Sequence, residues 1–486
     1  MHRDLLVVLV LLLVVVMLQS VSARMRLSFP ILLVLVGLAI SLIPGLPRVT
    51  LAPDVVFLVF LPPLLYEAAW FTSWREFKRL RNAISLQAVG LVFCTAAVVA
   101  WVAHEVIPGF SWALGFLLGG IIAPPDAVAA TSVLQGLRIP RTSVAILEGE
   151  SLVNDATSLI VVRFALAAVG TGLFVVEQAA AQLAWVSVAG VGLGLLIAHG
   201  VYLLHRQLRS SAPVDTALTL LTPYLEYVLA EQVHASGVLA VVAGGLYLSA
   251  RQHHFLDART RVFAIGTWAT AMFVLNGAVF ILIGLQLPIV VEDLRTSSLL
   301  DAVSFGLLIS LAAIAVRLAW TFAAAFLPSL LPARQRPDWK LVTLVGWAGM
   351  RGVVSLAAAL AIPAALPDGQ AFPQRSLLVF VTFVVILVTL VAQGLSLPPL
   401  VRALRFDLPN DEHKHRQALD DHLAAHAPAL GMEDSALREH VSSQRTELLR
   451  LKGAGKVSHE LSREKELELD LELARLDGRL EARTRH

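Results

Sequence analysis

Apolar residues gather along this chain in long runs separated by short charged connectors, and each run approaches the ~20 residues that a helix needs to cross a bilayer. The runs fall at 4–23, 27–44, 52–71, 83–107, 112–136, 141–169, 180–205, 215–232, 236–250, 262–290, 299–328, 340–366 and 376–402, which predicts about 13 spanning helices. Several are longer than a span requires, so tilt, a break or continuation into the headgroup region is expected there.

The connectors test the parity of that count, because Lys and Arg collect in cytoplasmic loops. One set of connectors holds Arg24, Arg26, Arg75, Lys78, Arg79, Arg81, Arg138, Arg141, Arg206, Arg209, Arg251, Arg259, Arg261, Arg334, Arg336 and Lys340; the opposite set holds only Arg48, Arg295 and Arg375. Sixteen against three predicts an amino terminus outside and a carboxyl tail in the cytoplasm. The first run has a second reading: Leu5 to Leu18 followed by Val21-Ser22-Ala23 also resembles a signal peptide, whose removal would leave one span fewer and change nothing downstream.

Composition fixes the class. With 486 residues, 57% apolar and 15% charged, and a mean hydropathy of +0.74, the chain reads as an all-α polytopic membrane protein. A net charge of +2 gives no case for a nucleic-acid partner. The single Cys94 excludes an intrachain disulfide and a multi-cysteine metal site, and reads as a small core residue. Charge returns abruptly after about Arg405, dividing the chain into a transmembrane region over 1–404 and a charged cytoplasmic tail over 405–486. Leu467, Leu469, Leu471, Leu473, Leu476 and Leu480 predict helix there, with pairing in a dimer left open because the spacing is not a clean heptad. His413, His415, His422 and His426 read as solvated surface, since no Cys or fixed ligand spacing accompanies them.

Ionisable residues inside the apolar runs carry the functional argument. Even on insertion scales a carboxylate at the bilayer centre costs about 2.5–3.5 kcal/mol, so each one needs a use or a partner. Glu67 follows Leu61-Pro62-Pro63-Leu64-Leu65-Tyr66, Asp126 follows Ala123-Pro124-Pro125, and Glu150 and Asp155 share the sixth run with Ser151 and Asn154. Arg317 and Arg351 lie in the eleventh and twelfth, and Glu150 is the candidate partner for Arg317. Arg163, about 12 Å along a helix from Asp155, is expected to snorkel at the membrane boundary. Glu226 and Glu231 are expected at solvent, His199 and His205 at the interface, and Asn276 in an interhelical hydrogen bond.

Pro124 and Pro125 remove two successive amide donors, so the fifth helix must break and free its carbonyls to hold a cation. Gly346, Gly349 and Gly352 weaken the twelfth in the same way. Two interrupted helices in corresponding, oppositely directed positions are the mark of a secondary transporter with inverted repeats.

The segments Phe60 to Glu67, Ala123 to Ala129, Gly149 to Ala156 and Gly349 to Leu356 together resemble the monovalent cation:proton antiporter family that contains the NHE and NhaP sodium/proton exchangers, closest to bacterial members with a cytoplasmic tail. The resemblance runs through about 5–404 and does not reach the tail. It implies a homodimer in the cell inner membrane, in which a core bundle with two broken crossing helices moves against a dimerisation domain in an elevator-type cycle. It further implies ion binding by Asp155, Asp126 and Ser151, access control by Glu67 and Asn154, a structural Glu150–Arg317 ion pair, and a field set by Arg351. One departure is Pro125, where the family often has Thr before the aspartate, so a carbonyl or water must replace a side-chain oxygen.

The chemistry also follows without the family. A proton or a hard monovalent cation neutralises Asp155, and only the neutralised site crosses; oxygen ligands suit such cations, with no cofactor required. Asn154 cannot titrate, so one cation per proton, hence electroneutral exchange, is expected. Sodium is the expected cation, with lithium or potassium possible substrates and a potassium/proton exchanger the runner-up. A channel is a weaker alternative, and an enzyme weaker still, because Ser151 has no nearby His.

Overall fold

A backbone in hydrocarbon must satisfy its own polar groups, and apolar runs of this length do so as helices. The computed structural model describes all residues except 1, 26–27, 44–54, 73, 172–175, 209–210, 295–297, 328–336, 367, 407–418, 420–432, 455–456, 458 and 485–486. Arg26, Arg48, Arg209, Arg295, Arg334, Arg336 and the four tail histidines noted above therefore lie outside the described residues. Among the described residues the chain is helical with no strand. Seven helices among the described residues are long and apolar enough to cross a membrane, and shorter apolar helices cover Leu9–Ser22, Phe29–Ser41 and Val56–Phe71.

In chain order the helices are α1 His2–Met25, α2 Phe29–Ser41, α3 Leu61–Phe71, α4 Trp74–Ser85, α5 Val92–Val106, α6 Trp112–Ile122, α7 Ala127–Leu134, α8 Arg141–Thr171, α9 Val176–Gln207 and α10 Ala212–Gln232. They continue as α11 Gly237–Arg251, α12 Ala258–Leu285, α13 Leu287–Asp293, α14 Leu299–Phe326, α15 Trp339–Trp347, α16 Val353–Leu360, α17 Arg375–Val388, α18 Gly394–Leu404, α19 Asp434–Ala454 and α20 His459–Thr484. Capping fixes several starts: Ser111 accepts from the Leu114 amide at 3.3 Å to open α6, and Asp338 accepts from the Lys340 amide at 2.9 Å to open α15.

The chain forms two compact units. One comprises Met1–Ala198, Pro223–Ser249 and Met272–Phe406; the other comprises His199–Thr222, Ala250–Ala271 and Asp407–His486. In the first, α6 and α17 are buried along most of their length, with Leu117, Leu118, Ile121, Phe380, Val381 and Phe383 in one apolar core. Helix α6 approaches the backbone of α5 at Ala96 and Ala100 because Gly115 and Gly119 present no side chain there.

In the second unit tail leucines pack within the chain: Leu469, Leu473 and Leu476 of α20 join Val441, Leu448 and Leu451 of α19, while Leu471 is exposed. His205, expected at an interface, is buried and sits 2.7 Å from Asp215. Arg261 holds Asp470 through Nη2 to Oδ1 at 2.5 Å and Nε to Oδ2 at 2.7 Å, and Arg445 Nε reaches the same Oδ1 at 2.8 Å. Arg445 Nη2 also lies 2.7 Å from His253 Nδ1, and His253 Nε2 lies 3.6 Å from Glu466. Burial pushes the His253 imidazole down to about 4, outweighing the opposing pull of Glu466, and Arg445, Arg261 and Lys452 push the same way.

Candidate ion-binding site

Two interruptions in apolar helices meet at one point. Between α6 and α7 the prolines Pro124 and Pro125 supply no amide donor, and the chain is non-helical through Asp126. Between α15 and α16 it unwinds over 348–352, the segment that contains Gly349 and Gly352. The Asp126 amide donates to the Met350 carbonyl at 2.7 Å, tying one break to the other. Gly352 lies so close to the Asp126 carboxylate that a methyl group there would overlap it, and a side chain at Gly349 would run into the stem of Arg317.

Asp126 restarts helix α7. Its Oδ1 accepts from the Val128 amide at 2.9 Å and the Ala129 amide at 3.2 Å, which leaves Oδ2 beside Gly352. Helix α8 brings the second carboxylate: Asp155 is 6% exposed and within electrostatic reach of Asp126. Two carboxylates within electrostatic reach of one another repel, and neutralising one of them with a proton or a monovalent cation relieves that repulsion. Ser151 lies half-buried one helical turn before Asp155, on the same face. Asn154 is fully buried and donates from Nδ2 to the Pro125 carbonyl at 3.3 Å. That carbonyl thus faces an amide where the sequence would allow it to face an ion. Glu67 is half-buried on α3, which packs against α8.

Arginine residues brace the crossing. Arg317 and Glu150 form a fully buried bidentate pair, with Nη1 to Oε1 at 2.6 Å and Nη2 to Oε2 at 2.9 Å. Arg317 Nη2 also donates to the Val345 carbonyl at 3.2 Å, so this one side chain joins α8, α14 and the last turn of α15. Arg351 is buried, donates from Nη1 to the Gly349 carbonyl at 2.5 Å, and lies within electrostatic reach of both Arg317 and Glu150.

Three supporting residues escaped the sequence reading. Thr389 accepts from the Arg351 amide at 3.1 Å, Gln393 donates to the Trp347 carbonyl at 2.9 Å, and Ser158 donates to the Gly120 carbonyl at 2.7 Å. A small polar residue in an apolar helix gives no signal of this kind, because it also bonds back to its own helix, as Thr389 does to Val385 at 2.8 Å. Arg163 is half exposed and pairs with Glu231 at 3.0 Å rather than snorkelling alone. Glu226, expected at solvent, is fully buried.

The comparisons with known proteins bear on the family and the fold. Residues 8–403 match the family model described as sodium/hydrogen exchanger, transmembrane. An uncharacterised Na+/H+ exchanger of Mycobacterium tuberculosis is 34% identical over 91% of this chain and 84% of its own length. A sodium, potassium, lithium and rubidium/H+ antiporter of Bacillus pumilus is 32% identical over 76% of this chain and 57% of its own length. Among solved structures, the sodium proton antiporter MjNhaP1 of Methanocaldococcus jannaschii has a TM-score of 0.66 at 18% identity, covering 84% of this chain and 99% of that one, and so shares its fold. The chain is a multi-pass membrane protein that belongs to the sodium/hydrogen exchanger family of cation/proton antiporters.

Proposed function

We propose that this chain exchanges sodium for protons one for one, with Asp155 as the group that the two ions occupy in turn. The reading rests on a single observation: two broken helices are tied together at Asp126 N–H to Met350 O, 2.7 Å, beside the carboxylate pair of Asp126 and Asp155. Sodium there meets hard oxygen ligands from Asp155, Asp126 Oδ2 and Ser151. Asn154, an amide that bonds Pro125, adds no titrating group to the count, which favours electroneutral exchange. Glu67 and Asn154 control access, Glu150 and Arg317 hold the site together, and Arg351 sets its field.

In this reading residues 1–404 form the transport domain, which dimerises and works by elevator movement in the bacterial inner membrane. Residues 405–486 form a cytoplasmic tail, and the amino terminus lies outside. The relative named for four alkali cations makes lithium and potassium the comparisons of interest.

Vesicles containing the purified chain and a pH-sensitive dye test the reading. Sodium added outside should release the trapped acid, potassium should do so less well, and D155N should reduce the response to background. Exchange that survives in folded D155N, or a current that reverses with membrane potential, overturns the one-for-one scheme at Asp155.

A further inference from the structure

Glu226 lies on α10, three residues beyond the intrahelical Pro223, and none of its surface is exposed. Neither carboxyl oxygen receives a hydrogen bond from any described residue. Gly244 of α11 packs directly on it, so that a methyl group at that position would overlap Oε1. From α3 the phenol of Tyr66, itself 1% exposed, lies within its electrostatic reach.

Nothing around this carboxyl would hold it as an anion. Glu67 on α3, Arg251 at the end of α11, and Asp215 and Glu231 on its own helix are the charged groups of these elements, and none of them is bonded to either Glu226 oxygen among the described residues. Glu231 is instead engaged with Arg163 and with the Gly237 amide. An ionised carboxylate in such surroundings has neither donors nor a counter-charge and is strongly disfavoured, whereas the neutral acid loses far less on burial. A metal cation would need several oxygens at one point, and the glycine face of α11 supplies none from side chains. Asp155 has Asp126 as its electrostatic neighbour, while Glu226 has Tyr66, so the two acids sit in separate surroundings.

We infer that Glu226 is a second internal proton-binding site, a carboxyl that holds its proton while α3, α10 and α11 are packed as they are here, and that sodium does not displace that proton. The site is independent of the role given to Asp155.

Infrared difference spectroscopy of the full-length chain in lipid reads this directly. At neutral pH the wild type and D155N should each show a carboxylic-acid C=O band that E226Q lacks, and sodium chloride in place of choline chloride should leave that band unchanged. If E226Q does not fold, E226D should shift the band rather than remove it. The inference is overturned if folded E226Q loses a carboxylate band instead, if E226D leaves the spectrum unchanged, or if sodium abolishes the Glu226 band.

Discussion

A guanidinium held at 0% exposure by one carboxylate is the sharpest energetic feature of the molecule. Arg317 and Glu150 are stable together because each satisfies the other's charge, with Val345 taking a further hydrogen bond. Removing one partner leaves an uncompensated buried charge, a loss of about 3–5 kcal/mol, whereas replacing both by apolar groups is close to neutral. E150Q should therefore melt well below the wild type in a detergent thermal-shift assay, and the double variant E150L/R317M should regain much of the difference. Equal melting of E150Q and wild type would remove the pair from the stability argument.

The cost of a lone arginine in an apolar helix also made this contact legible in the sequence, since Glu150 was an available acid in another apolar run. The same reasoning failed at Glu226. Its run, Tyr224-Leu225-Glu226-Tyr227, lies near the end of an apolar stretch, where a solvent-facing glutamate is the ordinary reading. Only the packing of Gly244 against it reveals burial, and no local pattern encodes that contact.

At the scale of elements, the two helix breaks depend on each other. Prolines at 124 and 125 made the first break certain from sequence, and the glycines at 349 and 352 made the second plausible. Their meeting through Asp126 and Met350 is a tertiary contact that no pattern in either segment specifies. Because Gly352 abuts the Asp126 carboxylate, G352A should force the crossing apart. Sodium-driven exchange should then show a half-saturating concentration raised by about tenfold or more, equivalent to ~1.4 kcal/mol. Gly478 in α20, with nothing within 4 Å of its missing Cβ, is the control. G478A should leave exchange unchanged and make the helix more favourable by roughly 1 kcal/mol.

At the scale of the whole molecule, hydropathy made the membrane part readable, whereas the tail gave only composition and a leucine spacing. Its packing depends on charged residues distant in sequence, such as Arg261 with Asp470, which is why the internal pairing of α19 with α20 was not legible. This second unit also carries a pH response. His253 titrates near 4 where it is folded against an ordinary value of 6.5, so the unfolded unit binds the additional proton between those values. The contribution is complete above about 6.5 and declines as the pH falls toward 4. Hydrogen-exchange protection of α19 and α20, corrected for the intrinsic exchange rate, should fall as the pH drops across that interval, and H253Q should flatten the change; an identical profile in H253Q would exclude His253 as its source.

The carboxylate of Asp126 answers to two masters, since one oxygen begins α7 and the other lies against Gly352 where the two breaks meet. Replacements at this position separate the two. Asparagine keeps the helix start and silences the charge, alanine forfeits both, and glutamate has the charge on a stem too long for the turn. None of these three keeps both the charge and the helix start, so one side chain couples the geometry of α7 to the carboxylate beside Gly352.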